Sequence, residues 1–373
     1  MKKSKTLTKS MNHCSWADLD PDLLGEIKKR LYWADHARFS AVCKTWLAAE
    51  HAKRAGDVLP WCLLLYREKL DRITYRLYEP LNLDQPLITQ TIHLDEFFDP
   101  STIQMAAPLV YLHGCLLFSL HHIDHTSTNF LLVSVPTRRT IRLPQFHHPS
   151  VSNSEFLKAV STYPYSRDCV FLALHVANSQ RWTVGIFRHG DTQWTTTEFN
   201  LGEFSSLQRS QGAVFIRGVF YILCYNQKLA SYDIASGELK FDSFQFPTDC
   251  RKNCHLLKFF ALNGELMILY HHSKVRKYIL TSYDWSHKRW VPLKSLGVSS
   301  LFISDCSVYA DSINYYGVSS NKIYYQQNGT CRVYSFENGE LLESTSSGLR
   351  NWDGLDYSGS RSVWVEPPDL LLK

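Results

Sequence analysis

Apolar residues follow two patterns along this chain, and the change comes near residue 57. Before it they recur at helical intervals. Leu23, Leu24, Ile27 and Leu31 line one side of an α-helix, and Asp20-Pro21 in front of them is a start signal: a carboxylate able to cap free N–H groups, then a proline at the first helical position. Asp35 can cap a second segment with apolar positions Phe39, Val42, Cys43, Trp46 and Leu47, and Gly56 is a stop. About forty residues of helix bury little surface alone. Such a unit leans on a neighbouring domain or presents apolar surface to a partner.

From Leu59 onward the texture becomes short β runs separated by polar turns. Trp61-Cys62-Leu63-Leu64-Leu65-Tyr66, Phe130-Leu131-Leu132-Val133 and Cys169-Val170-Phe171-Leu172-Ala173-Leu174 are examples. Only 155–160 and 204–208 carry a short helical stripe in this region. The strands recur as a unit: a turn with Gly or Asn, a strong strand, a polar hairpin, a second strand and a polar turn. Copies open at His113-Gly114, Arg217-Gly218, Asn263-Gly264 and Asn321. Successive openings fall 104, 46 and 57 residues apart, the first interval being long enough for two units. Spacings of roughly 40–50 residues with four short strands each mark propeller blades. The β region therefore has room for about six or seven blades, with a two-sheet sandwich array as the alternative. The strand near Val363–Val365 is expected to pair with Trp61–Tyr66 and close the ring.

Charge separates the regions too. Residues 1–56 carry 11 basic and 6 acidic residues, which accounts for the whole net charge of +5; the remainder holds 29 of each. A large domain without basic surplus is poorly suited to tracking a phosphate backbone, so nucleic acid is not the expected partner. No apolar run reaches the ~18 residues of a membrane span. Residues 1–14 read as a flexible basic tail, not a secretory signal, because no apolar stretch follows the lysines. The ten cysteines are scattered; Cys115 and Cys224 sit in apolar strands and read as small buried hydrophobes of a reduced, intracellular protein.

Motifs of catalytic or metal chemistry are incomplete along the chain. Cys250, Cys254 and His255 imitate half a zinc site, but no second cysteine pair follows. The histidine groups His121, His122 and His125, His147 and His148, and His271 and His272 fall between strands, where solvated turns are expected. Asp95 and Glu96 could pair as carboxylates, though an exposed acidic turn beside Phe97-Phe98 is the simpler reading. Ser282-Tyr283-Asp284-Trp285-Ser286 has the outline of a sialidase Asp-box without its glycine, which leaves Asp284 as a turn residue. There is no Gly-Gly pair of the kelch type, and no G-x-S-x-G, H-E-x-x-H or P-loop pattern. No catalytic residue, metal or cofactor is assigned.

The segment from Trp16-Ala17-Asp18-Leu19-Asp20-Pro21-Asp22-Leu23-Leu24 to Val42-Cys43-Lys44-Thr45-Trp46 resembles an F-box, with Asp20 where most members carry proline and Pro21 one place later. The β region resembles the F-box-associated propeller domain of large plant families. That likeness rests on Gly218-Val219-Phe220-Tyr221, Leu229-Ala230-Ser231-Tyr232-Asp233, Trp290-Val291-Pro292-Leu293, Asn321-Lys322-Ile323-Tyr324-Tyr325 and Ser362-Val363-Trp364. The resemblance implies a mainly β protein with a small N-terminal α domain: an F-box at 15–56, then a substrate-binding propeller over 59–373. It implies a non-catalytic substrate receptor of a Skp–cullin–F-box ubiquitin ligase, in the nucleus, the cytoplasm or both. The Skp adaptor, and cullin through it, would dock on Leu19, Pro21, Leu23, Leu24, Ile27, Leu31, Phe39, Val42 and Trp46. An unknown protein substrate would meet one propeller face, with Tyr315, Tyr316, Trp352 and Tyr357 as aromatic candidates. The rival reading is a ligand-binding or hydrolytic propeller with a helical cap.

Overall fold

In the computed structural model the chain divides into two compact units, Met1–Val58 and Leu59–Lys373. The structure describes residues 16, 19–30, 39, 42–48, 61–69, 72–78, 86, 88–112, 114–124, 126–135, 137–148, 155–162, 164–178, 181–201, 210–224, 227–245, 254–274, 277–297, 299–304, 307–311, 320–327, 330–346 and 361–365. In the first unit these include helices α1 (Pro21–Arg30) and α2 (Lys44–Ala48).

The second unit is a β-propeller of six sheets among the described residues. Blade 1 holds β1 (Trp61–Lys69), β2 (Arg72–Tyr78) and β3 (Ile88–His93). Blade 2 holds β4 (Ile103–Leu112), β5 (Cys115–His122), β6 (Ser127–Ser134) and β7 (Thr140–His147). Blade 3 holds β8 (Glu155–Val160), β9 (Val170–Asn178), β10 (Arg181–Arg188) and β11 (Thr195–Asn200). Blade 4 holds β12 (Ser210–Ile216), β13 (Val219–Cys224), β14 (Lys228–Asp233) and β15 (Leu239–Ser243). Blade 5 holds β16 (Cys254–Leu262), β17 (Glu265–His272), β18 (Lys277–Asp284) and β19 (Arg289–Pro292). Blade 6 holds β20 (Ser300–Ile303), β21 (Val308–Asp311), β22 (Lys322–Gln327), β23 (Thr330–Ser335) and β24 (Leu341–Ser346).

The last strand, β25 (Arg361–Val365), pairs antiparallel with β1, Trp61 opposite Val365 and Leu65 opposite Arg361. It makes the fourth strand of blade 1, so the two ends of the β region share one sheet, as the sequence led us to expect. The first strands of successive sheets also approach one another, β4 with β8, β8 with β12 and β12 with β16, while β25 meets both β4 and β20. These strands ring a common axis.

Alternation along each strand explains the ring. In β9, Val170, Leu172, Leu174 and Val176 pack with Phe220 and Ile222 of blade 4, whereas Phe171 and Ala173 pack with Leu117, Phe130 and Phe146 of blade 2. In β17, Leu266, Ile268 and Tyr270 turn toward blade 4, and Met267 and Leu269 toward blade 6. Side chains alternate across a strand, and each sheet has a neighbour on either face, so central strands read as unbroken apolar runs. A two-sheet sandwich would leave one face of each sheet to solvent.

The repeat seen in the sequence corresponds to hairpins inside blades. Arg217-Gly218 (φ 48° and 89°) joins β12 to β13, and Asn263-Gly264 (φ 52° and 78°) joins β16 to β17, both residues being left-handed as a tight two-residue hairpin requires. The 104-residue interval conceals blade 3, whose first hairpin is the longer 161–169 connection. The 57-residue interval contains an irregular blade, in which β20 pairs in parallel with β22 and β21 takes the far edge. Residues 155–160 form β8, contrary to their helical stripe, because the edges of β9 and the packing of Ala159 and Val160 outweigh a six-residue pattern. Residues 204–208 lie outside the described residues.

Candidate functional site

The described residues of the N-terminal unit form an inward-packed set and an exposed apolar set. Asp20 caps α1: its Oδ1 accepts from the Asp22 N–H at 2.8 Å and its carbonyl from the Leu24 N–H at 2.9 Å. Pro21 follows at the first helical position, where a missing N–H costs nothing. Leu24 and Phe39 are buried, with Leu19 and Trp46 packed against them. The Phe39 and Trp46 rings lie 4.4 Å apart, and Trp46 Nε1 donates to the Trp16 carbonyl at 3.0 Å. Leu23 (55%), Ile27 (37%), Val42 (57%) and Trp16 (73%) are exposed, as is Pro21. The sequence stripe thus divides between internal packing by Leu19, Leu24, Phe39 and Trp46 and outward apolar surface at Leu23, Ile27 and Val42. Leu31 and Asp35 fall outside the described residues, as do Tyr315, Tyr316, Trp352 and Tyr357.

In the propeller, Asp95 and Glu96 lie on an exposed 3₁₀ turn, Leu94–Glu96, which leads to a second turn capped by Asp99. Asp99 Oδ1 accepts from the Ser101 N–H at 3.0 Å and hydroxyl at 2.7 Å, which holds its carboxyl below the usual range. These turns wall a pocket of about 560 Å³ completed by His122, Asn129, Arg142 and Gln145 of blade 2. Arg142 donates to the Phe97 carbonyl at 2.9 Å and stands 4.6 Å over the Phe98 ring. Asn129 Nδ2 lies 2.6 Å from His122 Nε2, and Gln145 Nε2 donates to Ser127 Oγ at 2.8 Å. Sequence reasoning missed this pocket, since three strands and two short turns supply its walls.

Several histidines differ from the expectation of solvated turns. His121 and His122 end β5 half-buried, and His148 is buried beside His175, their rings 4.5 Å apart across blades 2 and 3. Thr128 Oγ1 bridges His121 Nδ1 and His148 Nε2, at 3.3 Å each. Burial, then the neighbouring His148, depresses His175 to a pKa of about 4. His271 and His272 belong to β17, and His125 and Cys250 lie outside the described residues. No group of three His, Cys, Asp or Glu able to hold a metal occurs among the described residues. Asp284 is a turn residue: its Oδ1 accepts from the N–H groups of Ser286 (3.0 Å) and His287 (3.2 Å), and Oδ2 meets His287 Nδ1 at 2.8 Å. Cys115 and Cys224 are buried, and burial pushes the Cys224 thiol up to about 12, out of nucleophilic range.

The model of the KIB1-4 beta-propeller family matches residues 92–340, two thirds of the chain and most of the six-bladed ring. The chain belongs to the KIB1-4 β-propeller family. Its relatives extend the likeness to the N-terminal unit. The Arabidopsis thaliana F-box/kelch-repeat protein At1g57790 is 25% identical over 364 residues, covering 95% of both chains. The F-box protein At4g00893 of the same plant is 26% identical over 391 aligned positions, covering 100% of this chain and 91% of its own. F-box protein At3g56470, also from Arabidopsis, is 24% identical over 96% of this chain and 90% of its own. This KIB1-4 propeller is therefore similar over nearly its whole length to plant F-box proteins.

Proposed function

We propose that this chain is the substrate-receptor subunit of a Skp–cullin–F-box ubiquitin ligase: residues 15–56 dock on the Skp adaptor and the propeller captures a protein for ubiquitination. The observation that carries the reading is the alignment of F-box proteins over 95–100% of this chain. The physical arrangement supports it. Among its described residues, the N-terminal unit packs Leu24, Phe39, Leu19 and Trp46 together and leaves Leu23, Ile27 and Val42 in water. Burying such side chains against a partner is favourable by about 25 cal/mol per Å² before association costs are subtracted. The adaptor groove takes this outward set, while the inward set keeps the helices in register.

No chemistry on the chain itself is needed in this role. The receptor acts by proximity, raising the effective concentration of its target beside the ligase. Affinity purification with mass spectrometry, comparing the intact chain with a form lacking residues 15–56, tests the proposal. Skp and cullin should copurify with the intact chain alone, while the captured target copurifies with both. Recovery of Skp with the truncated form, or its absence from the intact one, would overturn the assignment.

A further inference from the structure

The turn between β18 and β19 carries an aromatic corner at the joint of blades 4 and 5. Trp285 is 44% exposed there, the one aromatic among the large apolar side chains left exposed on the described propeller residues. Its ring lies 5.1 Å from that of Tyr221 in blade 4, at 61°, and 4.9 Å from that of Tyr283, at 87°. Rings at such angles make a corner, not a flat stack. Tyr283 is buried and touches Trp290, which ties the corner to the core between the two blades. An indole left in water over so rigid a base is the residue type most often found at the energetic centre of an interface.

Two independent observations narrow what the corner can take. The indole N–H of Trp285 and the half-buried Tyr221 hydroxyl have no hydrogen-bond partner among the described residues. Burial, then the nearby Asp233, raises the Tyr221 pKa, so the phenol stays a donor. The corner thus offers donors in need of acceptors. Its rim, moreover, is neutral. Asp284 faces His287 at 2.8 Å and Arg289 at 3.6 Å, and Asp242 pairs with Lys288. Glu238 pairs with Lys240 at 2.8 Å, and the same ammonium acts on Asp233. A cationic side chain would meet Lys288 and Arg289, and an anion would meet the carboxylates. The fitting occupant is uncharged, apolar and rich in acceptors.

We propose that this corner receives a proline-rich segment of the captured protein in the polyproline II conformation, packed on Trp285 and Tyr221. Proline rings are compact and apolar, and each proline carbonyl is an acceptor for Trp285 Nε1 or the Tyr221 hydroxyl. Proline brings no N–H of its own that would need an acceptor in return. The segment is extended before it binds, so docking costs little ordering entropy, and aromatic-lined grooves elsewhere recognise such segments in this way. The identification rests on the substrate-receptor reading, and it gives that reading a first recognition element.

The test titrates the full-length chain calorimetrically with acetyl-decaproline-amide, beside a Gly-Ser peptide and an oligo-arginine peptide of the same length. Decaproline should bind saturably and more tightly than either control. Trp285→Ala should weaken it by about tenfold or more, as loss of an interface anchor does. Tyr221→Phe, which removes only a hydroxyl, should weaken it by about fivefold, the scale of one hydrogen bond, and decides the matter if Trp285→Ala lowers the melting temperature. No binding of decaproline, equal or tighter binding of either control, or unchanged affinity in both variants would overturn the proposal. Skp capture measured in parallel separates the two readings: a parent chain that captures Skp but not decaproline refutes the corner alone, and one that binds decaproline but not Skp counts against the receptor reading alone.

Discussion

At the scale of single residues, the contacts between blades are the most exacting. Gly185 in β10 faces Phe146 of blade 2, and a methyl group there would overlap the ring, with Cδ2 at 3.0 Å and Cζ at 3.2 Å. Gly185→Ala should therefore destabilise the propeller by about 1–3 kcal/mol, the usual cost of overpacking, read as a lower urea midpoint. The His148–His175 pair gives a pH signature. His175 is held at about 4 against an ordinary 6.5, so the unfolded chain binds its proton first and stability rises with pH through this interval. The contribution is fully present above about pH 6.5 and is lost as pH falls toward 4. Melting temperature should drop across that window, and His175→Gln should flatten the drop. A further fall below it belongs to turn carboxylates such as Asp233 and Asp284, whose pKa values are depressed by hydrogen bonds. Sequence alone could not reveal this pair, because its two rings come from different blades.

At the scale of elements, local signals were legible wherever one or two residues decide the geometry. Asp20-Pro21 marked the start of α1, and Arg217-Gly218 and Asn263-Gly264 marked hairpins that need left-handed backbone. Blade 3 stayed hidden because its first connection is long and lacks such a pair, and 155–160 misled because six residues cannot separate a helix from a strand whose fate lies with its neighbours. The pairing of β25 with β1 was legible from two complementary apolar runs far apart in the chain. Trp364 seals that joint: it is 1% exposed, its Nε1 donates to the Ile303 carbonyl at 3.0 Å, and its N–H donates to Ser307 Oγ at 2.9 Å. Trp364→Ala should cost about 3–5 kcal/mol, and deletion of residues 361–373 at least as much, measured by denaturant unfolding. An unchanged midpoint on deletion would show that the ring does not depend on this strand.

For the whole molecule, a charge-balanced region from residue 57 onward and a basic N-terminal region of 56 residues perform separable tasks in the proposed receptor. The ring was legible in the sequence as spaced strands, and the helical unit as a stripe. The division of that stripe into inward and outward sets was not, because helical spacing alone places Leu23 and Leu24 on neighbouring positions without saying which meets a partner. Leu24 is fully buried and Leu23 is more than half exposed. Leu24→Ala should therefore loosen the N-terminal unit by about 2–5 kcal/mol, whereas Leu23→Asp leaves its core intact.

The most direct test of the receptor assignment is capture of purified Skp adaptor by the full-length chain and by its Leu23→Asp/Ile27→Asp variant. The account predicts that the parent binds and the variant does not, with the propeller's melting transition unchanged. Undiminished capture by a folded variant would contradict it.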